Sequence, residues 1–581
     1  MNTKNIRNRL WLHGSMDNII KWLDVLPIKA DKLGVLINSN DDDKRKNQLI
    51  DFKKNGGIIA LEIHTITDLD ASLVSEANIL VADGSAAENS SIFSYANKSN
   101  VYLGKSITLK SEKYENNLDS KTDDLSLYDI IFLKNINRSD ENGFDAERIA
   151  FNGRLIKNLT TGKAEIAGIV SAVYDGFNVP FVSADEIKLL LNEVINGGMA
   201  VGFECNNSIL KCDSTKAALC EALNLSSNLF GFNLYPENDI GIVWDAANLD
   251  AYCDCDRWEG IGLPLLGIRH ALMKHGYQYS PVNAKKINDF KGKLLIFPEQ
   301  LYIDDNIEQA ILSYIKSGRS IIIIGKSLMF SYNDELRADN EVYKKLGLII
   351  TGNETGARLN EKMGANVHSY HEIQLRHPIF DGFEECSVLA FGGQLQLVKS
   401  RGVLAQLASW IPGFPISPCE LAYIEKREPE QGTIFAGKTG SGATCVYFAG
   451  DQDRLYGRDE FADYEKLLIN AIDFCIGDAK ALSLTGSENL DISIRKTGNA
   501  AIIYAVNLTG VSAYGGYIKE VIPAKNVTIT YKCGYKQPKV TLIDSSDILQ
   551  VSNTENGLSI CIKEITDHIA IKIAELAYEE G

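Results

Sequence analysis

Four acidic residues stand where short apolar runs give out: Glu62 inside Ile58–His64, Asp83 after Asn78–Ala82, Asp175 after Glu165–Val170, and Glu204 after Met199–Phe203. Carboxyl groups at the ends of buried strands can divide their labour, one kept protonated by burial as an acid, the other ionised as nucleophile or charge stabiliser. Asp83 is the first candidate for the ionised member, because Gly84 behind it leaves room for close approach. It also heads the stretch to Glu88, so capping of the next helix competes with that role. Glu204, within Gly202–Asn206, is the first candidate for the acid, against a structural salt bridge with a neighbouring lysine. Glu62 and His64 flank Ile63 and share one strand face; if that face is interior, Glu62 replaces one of the pair. His13, Asn38, His64, Lys105, Lys134, Asn135, Tyr174 and Asn206 hold comparable strand-end positions and are candidates for contacts to a polar substrate, with a packed core histidine the competing reading of His13.

The elements that would position these groups repeat. From Leu10 to Asn206 eight apolar runs alternate with polar or helical stretches: 10–14, 33–38, 58–64, 78–83, 100–105, 129–134, 165–170 and 199–204. Eight such strands with intervening helices predict a compact (β/α)8 barrel over 1–235, with a doubly wound open sheet as the alternative. In barrels the chemistry sits at the carboxyl ends of the strands, where the four acids lie. A second α/β region, 236–480, reads as an open parallel sheet: strand Gly292–Phe297, a helix capped near Asp304 and Asp305, a Gly318 stop, then the buried run Ser320–Ile324. From 481 to 581 the pattern turns to short alternating strands (490–495, 500–507, 526–531, 558–563, 568–573), predicting a small β-sandwich.

Composition narrows the partners. The chain has 581 residues, 45% hydrophobic and 23% charged, which suits several folded domains and no fibrous, disordered or membrane class. A formal net charge of −17 opposes nucleic acid and anionic lipid. No apolar segment of signal-peptide type precedes Asp17, and the eleven cysteines include isolated ones in apolar runs, so a reducing, cytoplasmic setting is expected. Cys253 and Cys255 lack the spacing and second ligand pair of a zinc site, and no metal or cofactor is expected. Gly432–Thr439 satisfies the letters of a phosphate-binding loop, but its apolar middle and the strand behind Gly440–Gly442 predict a hairpin instead. Asp451, Asp453 and Arg454 at a strand end could reach a neighbouring site or form an ion-paired turn, and Trp244, Tyr252 and Trp258 could form an aromatic platform, with core packing the default for Trp244.

The order of these parts, together with Glu147–Lys163, Val182–Gly198, Phe297–Asp305, His377–Phe383, Val446–Tyr456 and Ile503–Thr509, resembles the β-galactosidases that carry a trimerisation domain and the bacterial glycosyl hydrolases similar to them. The resemblance implies a carbohydrate substrate, a flavodoxin- or amidotransferase-like middle domain and a homo-oligomer. Such barrels place Asn-Glu at the end of strand four and a second Glu at the end of strand seven; here strand four ends Ala82-Asp83-Gly84 and strand seven runs into Ser171, Tyr174 and Asp175. An Asp nucleophile at strand four looks more like the α-L-fucosidases. The expected function is therefore a glycoside hydrolase using two carboxyl groups on a small oligosaccharide or glycoside, galactosidase- or fucosidase-like. The alternative is a non-catalytic carbohydrate-binding or assembly protein on a degenerate hydrolase scaffold.

Overall fold

The computed structural model describes residues 8–38, 46–63, 74–82, 92, 96, 101–108, 125–134, 146–160, 163–172, 182–229, 239–245, 247–248, 263–337, 340–351, 355–356, 369–413, 420, 423–424, 426–487, 489–497, 499–510, 521–543, 545 and 549–575. The candidates His64, Asp83, Tyr174 and Asp175, with Asn135, Tyr252, Cys253, Cys255 and Trp258, lie outside the described residues. The chain divides into two compact units, Met1–Pro236 with Leu484–Gly581, and Glu237–Ser483. No helix among the described residues is long and apolar enough to cross a membrane.

The first unit opens with a closed barrel of eight parallel strands: β1 (Leu10–Gly14), β2 (Leu33–Asn38), β3 (Ile58–Ile63), β4 (Ile79–Ala82), β5 (Tyr102–Thr108), β6 (Ile130–Lys134), β7 (Glu165–Val170) and β8 (Ala200–Glu204). All eight runs expected from the sequence are strands, and β8 closes on β1 through Trp11↔Gly202 and His13↔Glu204. One apolar cluster draws on every strand: Trp11, Leu36, Ile58 and Ala60, Ile79 and Val81, Ile130 and Phe132, Ala167 and Ile169, Ala200, with Tyr102 against it. Only the lumen can bring all eight strands to one cluster, so these side chains fill the barrel. Trp11 meets Phe132 edge-on with centroids 4.9 Å apart. Gly34 makes the room: a Cβ there would lie 2.6 Å from the Trp11 ring.

The described helices around the barrel include α1 (Met16–Val25), α2 (Lys46–Lys54), α3 (Ala146–Leu159), α4 (Ala184–Asn196) and α5 (Asp213–Leu229). Ser15 and Ser183 cap α1 and α4, accepting from Asn18 N and Glu186 N. Helix α4 is buried on nearly all sides, polar residues included, because a C-terminal sheet, through Leu490–Thr497 and Ala500–Asn507, packs against its outer face. Tyr504 donates to Asn192 Oδ1 (3.0 Å), Asn196 to Asp491 O (3.3 Å), Arg154 pairs with Asp491 (3.2 Å) and Arg495 reaches the Ile195 carbonyl. Those C-terminal strands form two four-stranded sheets whose described pairings are antiparallel, one around Ala500–Asn507 and one around Gly557–Ile565.

In the second unit, strands β9 (Ile240–Trp244), β10 (Tyr279–Asn283), β11 (Leu294–Phe297) and β12 (Ser320–Ile324) run parallel in the order β10-β9-β11-β12, continued by Thr444–Phe448. Beyond it the sheet turns antiparallel through Glu428–Lys438, Ala405–Ile411, Ser369–Ile373 and Val388–Phe391. The expectation of an open parallel sheet thus describes one half of it. The phosphate-loop look-alike is the strand ending at Lys438 and a tight turn, with Thr439 N donating to Ala443 O and Gly442 at φ +85. That is the hairpin its apolar middle predicts.

Candidate functional site

The strand period carries the apolar lumen upward into a polar layer. Two residues beyond Trp11, Leu36, Ala60 and Phe132 stand His13, Asn38, Glu62 and Lys134; two beyond the lumen-facing Gly104 and Gly202 stand Ser106 and Glu204. The lumen-facing sense of Gly104 is fixed by its neighbours, since a Cβ there would meet Val81, Ile130 and Ile79. The same alternation places Lys105, buried at 1% exposure, on the helix side. Asn206 lies past β8, where its side chain caps Ser208 N (2.9 Å) and its carbonyl accepts from Trp22 Nε1 (3.2 Å).

Glu62 comes from β3 and Lys134 from β6, so their bond crosses the lumen. Lys134 Nζ lies 2.6 Å from Glu62 Oε1, with the Glu62 side chain 1% exposed and that of Lys134 13%. Burial alone would raise the pKa of Glu62, but the lysine's charge and hydrogen bond, joined by smaller contributions from Ser106 and His13, hold the carboxyl below the usual glutamate range. His13 stands within electrostatic reach of Lys134, Glu62 and Glu204. Its pKa is pushed down, by burial first and the Lys134 charge second, against the pull of the two carboxylates. At neutral pH the layer therefore offers an ionised Glu62, a neutral imidazole with one N–H and one acceptor nitrogen, and Glu204 beside it on β8. Chemically this can stabilise a developing positive charge, supply or remove a proton, and bind hydroxyl groups.

Among the sequence candidates, the structure thus brings together His13, Asn38, Glu62, Lys134 and Glu204, and sends Lys105 and Asn206 elsewhere. Ser106 belongs to the layer and was not foreseen, because β5 runs on to Thr108 rather than stopping at Lys105. Counting in twos from Tyr102 would have found it.

Asp451, Asp453 and Arg454 form a separate, deeply buried cluster in the second unit. Arg454 Nε bonds Asp451 Oδ2 at 2.7 Å, and Asp451 Oδ1 accepts from Gln394 N at 3.0 Å. Asp453, fully buried, accepts from Arg454 N (2.8 Å) while its Oδ2 has no partner among the described residues. Burial, then the nearby Glu299 charge, pushes the pKa of Asp453 far up, so it carries a proton. Glu299, at φ +40 and 3% exposure just after β11, is held by Asn248, which bonds both Glu299 O and Leu301 N. Of the two sequence readings this is the ion-paired one, built at the start of a helix, Gln452–Asp459, rather than in a turn, and enlarged by a glutamate that the sequence pattern gave no reason to include. Trp244 is core, 3% exposed.

Among the described residues, one group of ligand-type atoms, from Glu221, Asp567 and His568, lies within 4.8 Å of one another. Lys188 Nζ already bonds Glu221 (2.8 Å) and Asp567 (3.0 Å), which supplies the compensating charge a cation would bring. The described cysteines are free thiols, with Cys205, Cys445 and Cys475 buried.

No protein-family profile and no curated protein matches this chain by sequence. Solved structures do. An α-L-fucosidase (isoenzyme 2) from Paenibacillus thiaminolyticus superposes with a TM-score of 0.69 at 10% identity, covering 98% of this chain and 100% of that one. A β-galactosidase from Bacillus circulans sp. alkalophilus gives 0.68 at 8% identity over 99% and 100%. A GH42 β-galactosidase from G. stearothermophilus gives 0.66 at 8% over 98% of each chain. The chain has their fold from end to end.

Proposed function

We propose that this protein is a glycoside hydrolase acting on a small oligosaccharide or glycoside at the mouth of its barrel, galactosidase- or fucosidase-like in substrate. The observation that carries the reading is the pair of lumen-facing carboxyl groups, Glu62 and Glu204, both within electrostatic reach of His13 in a polar layer capping an apolar barrel. End-to-end likeness of fold to a fucosidase and β-galactosidases supports the substrate class. In this mechanism Glu62, ionised, faces the anomeric carbon as nucleophile or charge stabiliser. Glu204 gives its proton to the leaving oxygen, and His13 with Asn38 binds sugar hydroxyls. Asp83 and Asp175, at the carboxyl ends of strands four and seven in the sequence, remain candidates for the same layer. Abundant free thiols suit a cytoplasmic enzyme, and the middle unit suits a homo-oligomer, for which light scattering at micromolar concentration is the check.

A panel of nitrophenyl glycosides tests the reading, with wild type, Glu62→Gln, Glu204→Gln and Asp83→Asn compared. Loss of turnover by a factor of about 10² or more in Glu62→Gln and Glu204→Gln is expected. A second reading, sugar binding without turnover, draws on the absence of Asn-Glu at the end of strand four. Wild-type protein that binds a sugar yet releases no product from any glycoside would decide for it.

A further inference from the structure

The polar layer contains one feature that a pair of carboxyl groups does not require: a lysine whose ammonium spans the lumen from β6 to a carboxylate on β3. A buried ion pair of this kind is a weak source of net stability, because desolvating both charges offsets their attraction. Its geometric consequence is strong. A 2.6 Å charge-assisted bond fixes the Glu62 carboxylate in one place and presents Oε1 to Lys134, leaving Oε2 for other contacts. It also makes Glu62 a poor proton donor, since protonation would strand the buried ammonium.

We propose that Lys134 is the positioning residue of this site, the cation that fixes Glu62 across the lumen as the permanently anionic partner and leaves proton donation to Glu204. The inference deepens the hydrolase reading and rests on it for the division of roles. The groups that face Glu62 are consistent with it. From β6 comes Lys134; from β1, His13, whose electrostatic influence on Glu62 runs in the same direction as that of Lys134; from β5, the uncharged Ser106, with Lys105 turned to the helix side; from β2, the uncharged Asn38, whose Cα pairs with that of Glu62.

The test reads Glu62 directly, without requiring turnover. In protein labelled with ¹³C at glutamate carboxyls, the Glu62 signal is assigned by its disappearance in Glu62→Gln and titrated in wild type, Lys134→Arg and Lys134→Met. Removing the cation should move the Glu62 midpoint up by about one to three pH units, while Lys134→Arg keeps it low. A midpoint unmoved in Lys134→Met overturns the proposal. Should Lys134→Met fold poorly, Lys134→Gln, which keeps a donor without the charge, reads the same shift. On an active substrate the acidic limb of kcat/KM should move with that midpoint, and kcat should fall more than KM rises. A fixed acidic limb alongside a shifted Glu62 midpoint overturns the assignment of Glu62 as the anionic partner. If no glycoside is turned over by any form, the hydrolase reading fails, and the titration still decides whether Lys134 holds Glu62.

Discussion

The barrel mouth and the middle sheet each bury carboxyl groups beside one cation, and they resolve the conflict in opposite ways. In the lumen one glutamate meets one lysine, and the pair balances with both groups charged. In the second unit Glu299, Asp451 and Asp453 share Arg454, and the surplus is relieved by a proton kept on Asp453. A balanced pair leaves both groups charged in the polar layer above the apolar lumen. An overloaded cluster, closely approached by backbone at Gly393 and Gly267, ties chain segments together. Gly393 and Gly267 show how closely: added Cβ atoms would lie 1.9 Å from Asp451 Oδ1 and 2.0 Å from Asp453 O.

The largest expected effect is at that cluster. Arg454→Met leaves Asp451 and Glu299 buried without their cation and should cost about 3–5 kcal/mol or the folded unit itself. Urea denaturation followed by the near-ultraviolet signal measures it, and a cost below about 1 kcal/mol would erase the contrast. The lumen pair should behave differently. Lys134→Met alone strands a buried carboxylate, but Lys134→Met with Glu62→Leu removes both charges and should return to within about 1–2 kcal/mol of wild type. If the double variant stays as unstable as the single, the lumen pair is structural glue like its counterpart.

The two sites should also show opposite slopes with pH. A carboxyl raised by folding keeps its proton where the unfolded chain has lost it, so the contribution of Asp453 declines as pH rises from the ordinary aspartate value of about 4. Glu62 is lowered, so its contribution is present above the ordinary glutamate value of about 4.3 and is lost as pH falls below it. Asp453→Asn mimics the protonated acid. Its stability relative to wild type should therefore improve from pH 4 to pH 7, by about 1 kcal/mol or more. An offset that is flat with pH would show that Asp453 is ionised in the folded state.

How much of this could be read in the sequence follows from what sequence patterns encode. The barrel strands were legible because each is an apolar run between more polar stretches, and five C-terminal strands because they alternate. Gln550–Thr554 was missed: every residue in it is exposed, so it has no buried face to reveal. Lys105 shows how sensitive a site is to register, for one residue separates it from Ser106 and that step turns it out of the lumen. Whether Glu62 faced inward was undecidable from alternation alone, since all six residues of β3 are buried. The Lys134 bond was out of reach for a different reason: it joins residues 72 positions apart across a closed barrel, and local periodicity carries no such information. Glu299 depends on a left-handed backbone conformation that nothing in Phe297-Pro298-Glu299 announces.

A third charged group, where α4 meets the C-terminal sheet built around Ala500–Asn507, sharpens the comparison by adding water. Lys188 bonds Glu221 and Asp567, and Asp567 also bonds His568 Nδ1 at 2.8 Å. Burial works against Asp567, but the bonds to His568 and Lys188 prevail and take its pKa down to about 2. Here the Lys188 side chain is 28% exposed, more than twice the value for Lys134 in the lumen. Solvent screens what burial would magnify, so Lys188→Met should cost only about 0.5–1 kcal/mol at pH 7. The sign follows from the lowered carboxyl: this contribution is present above about pH 4 and is lost as pH falls toward 2, where wild type and variant should converge. Thermal unfolding at pH 7 and pH 3 compares them. A cost as large as that of Lys134→Met would mean that exposure is not what separates these clusters, and that docking of that sheet on α4 depends on charge rather than on its buried apolar and hydrogen-bonded face.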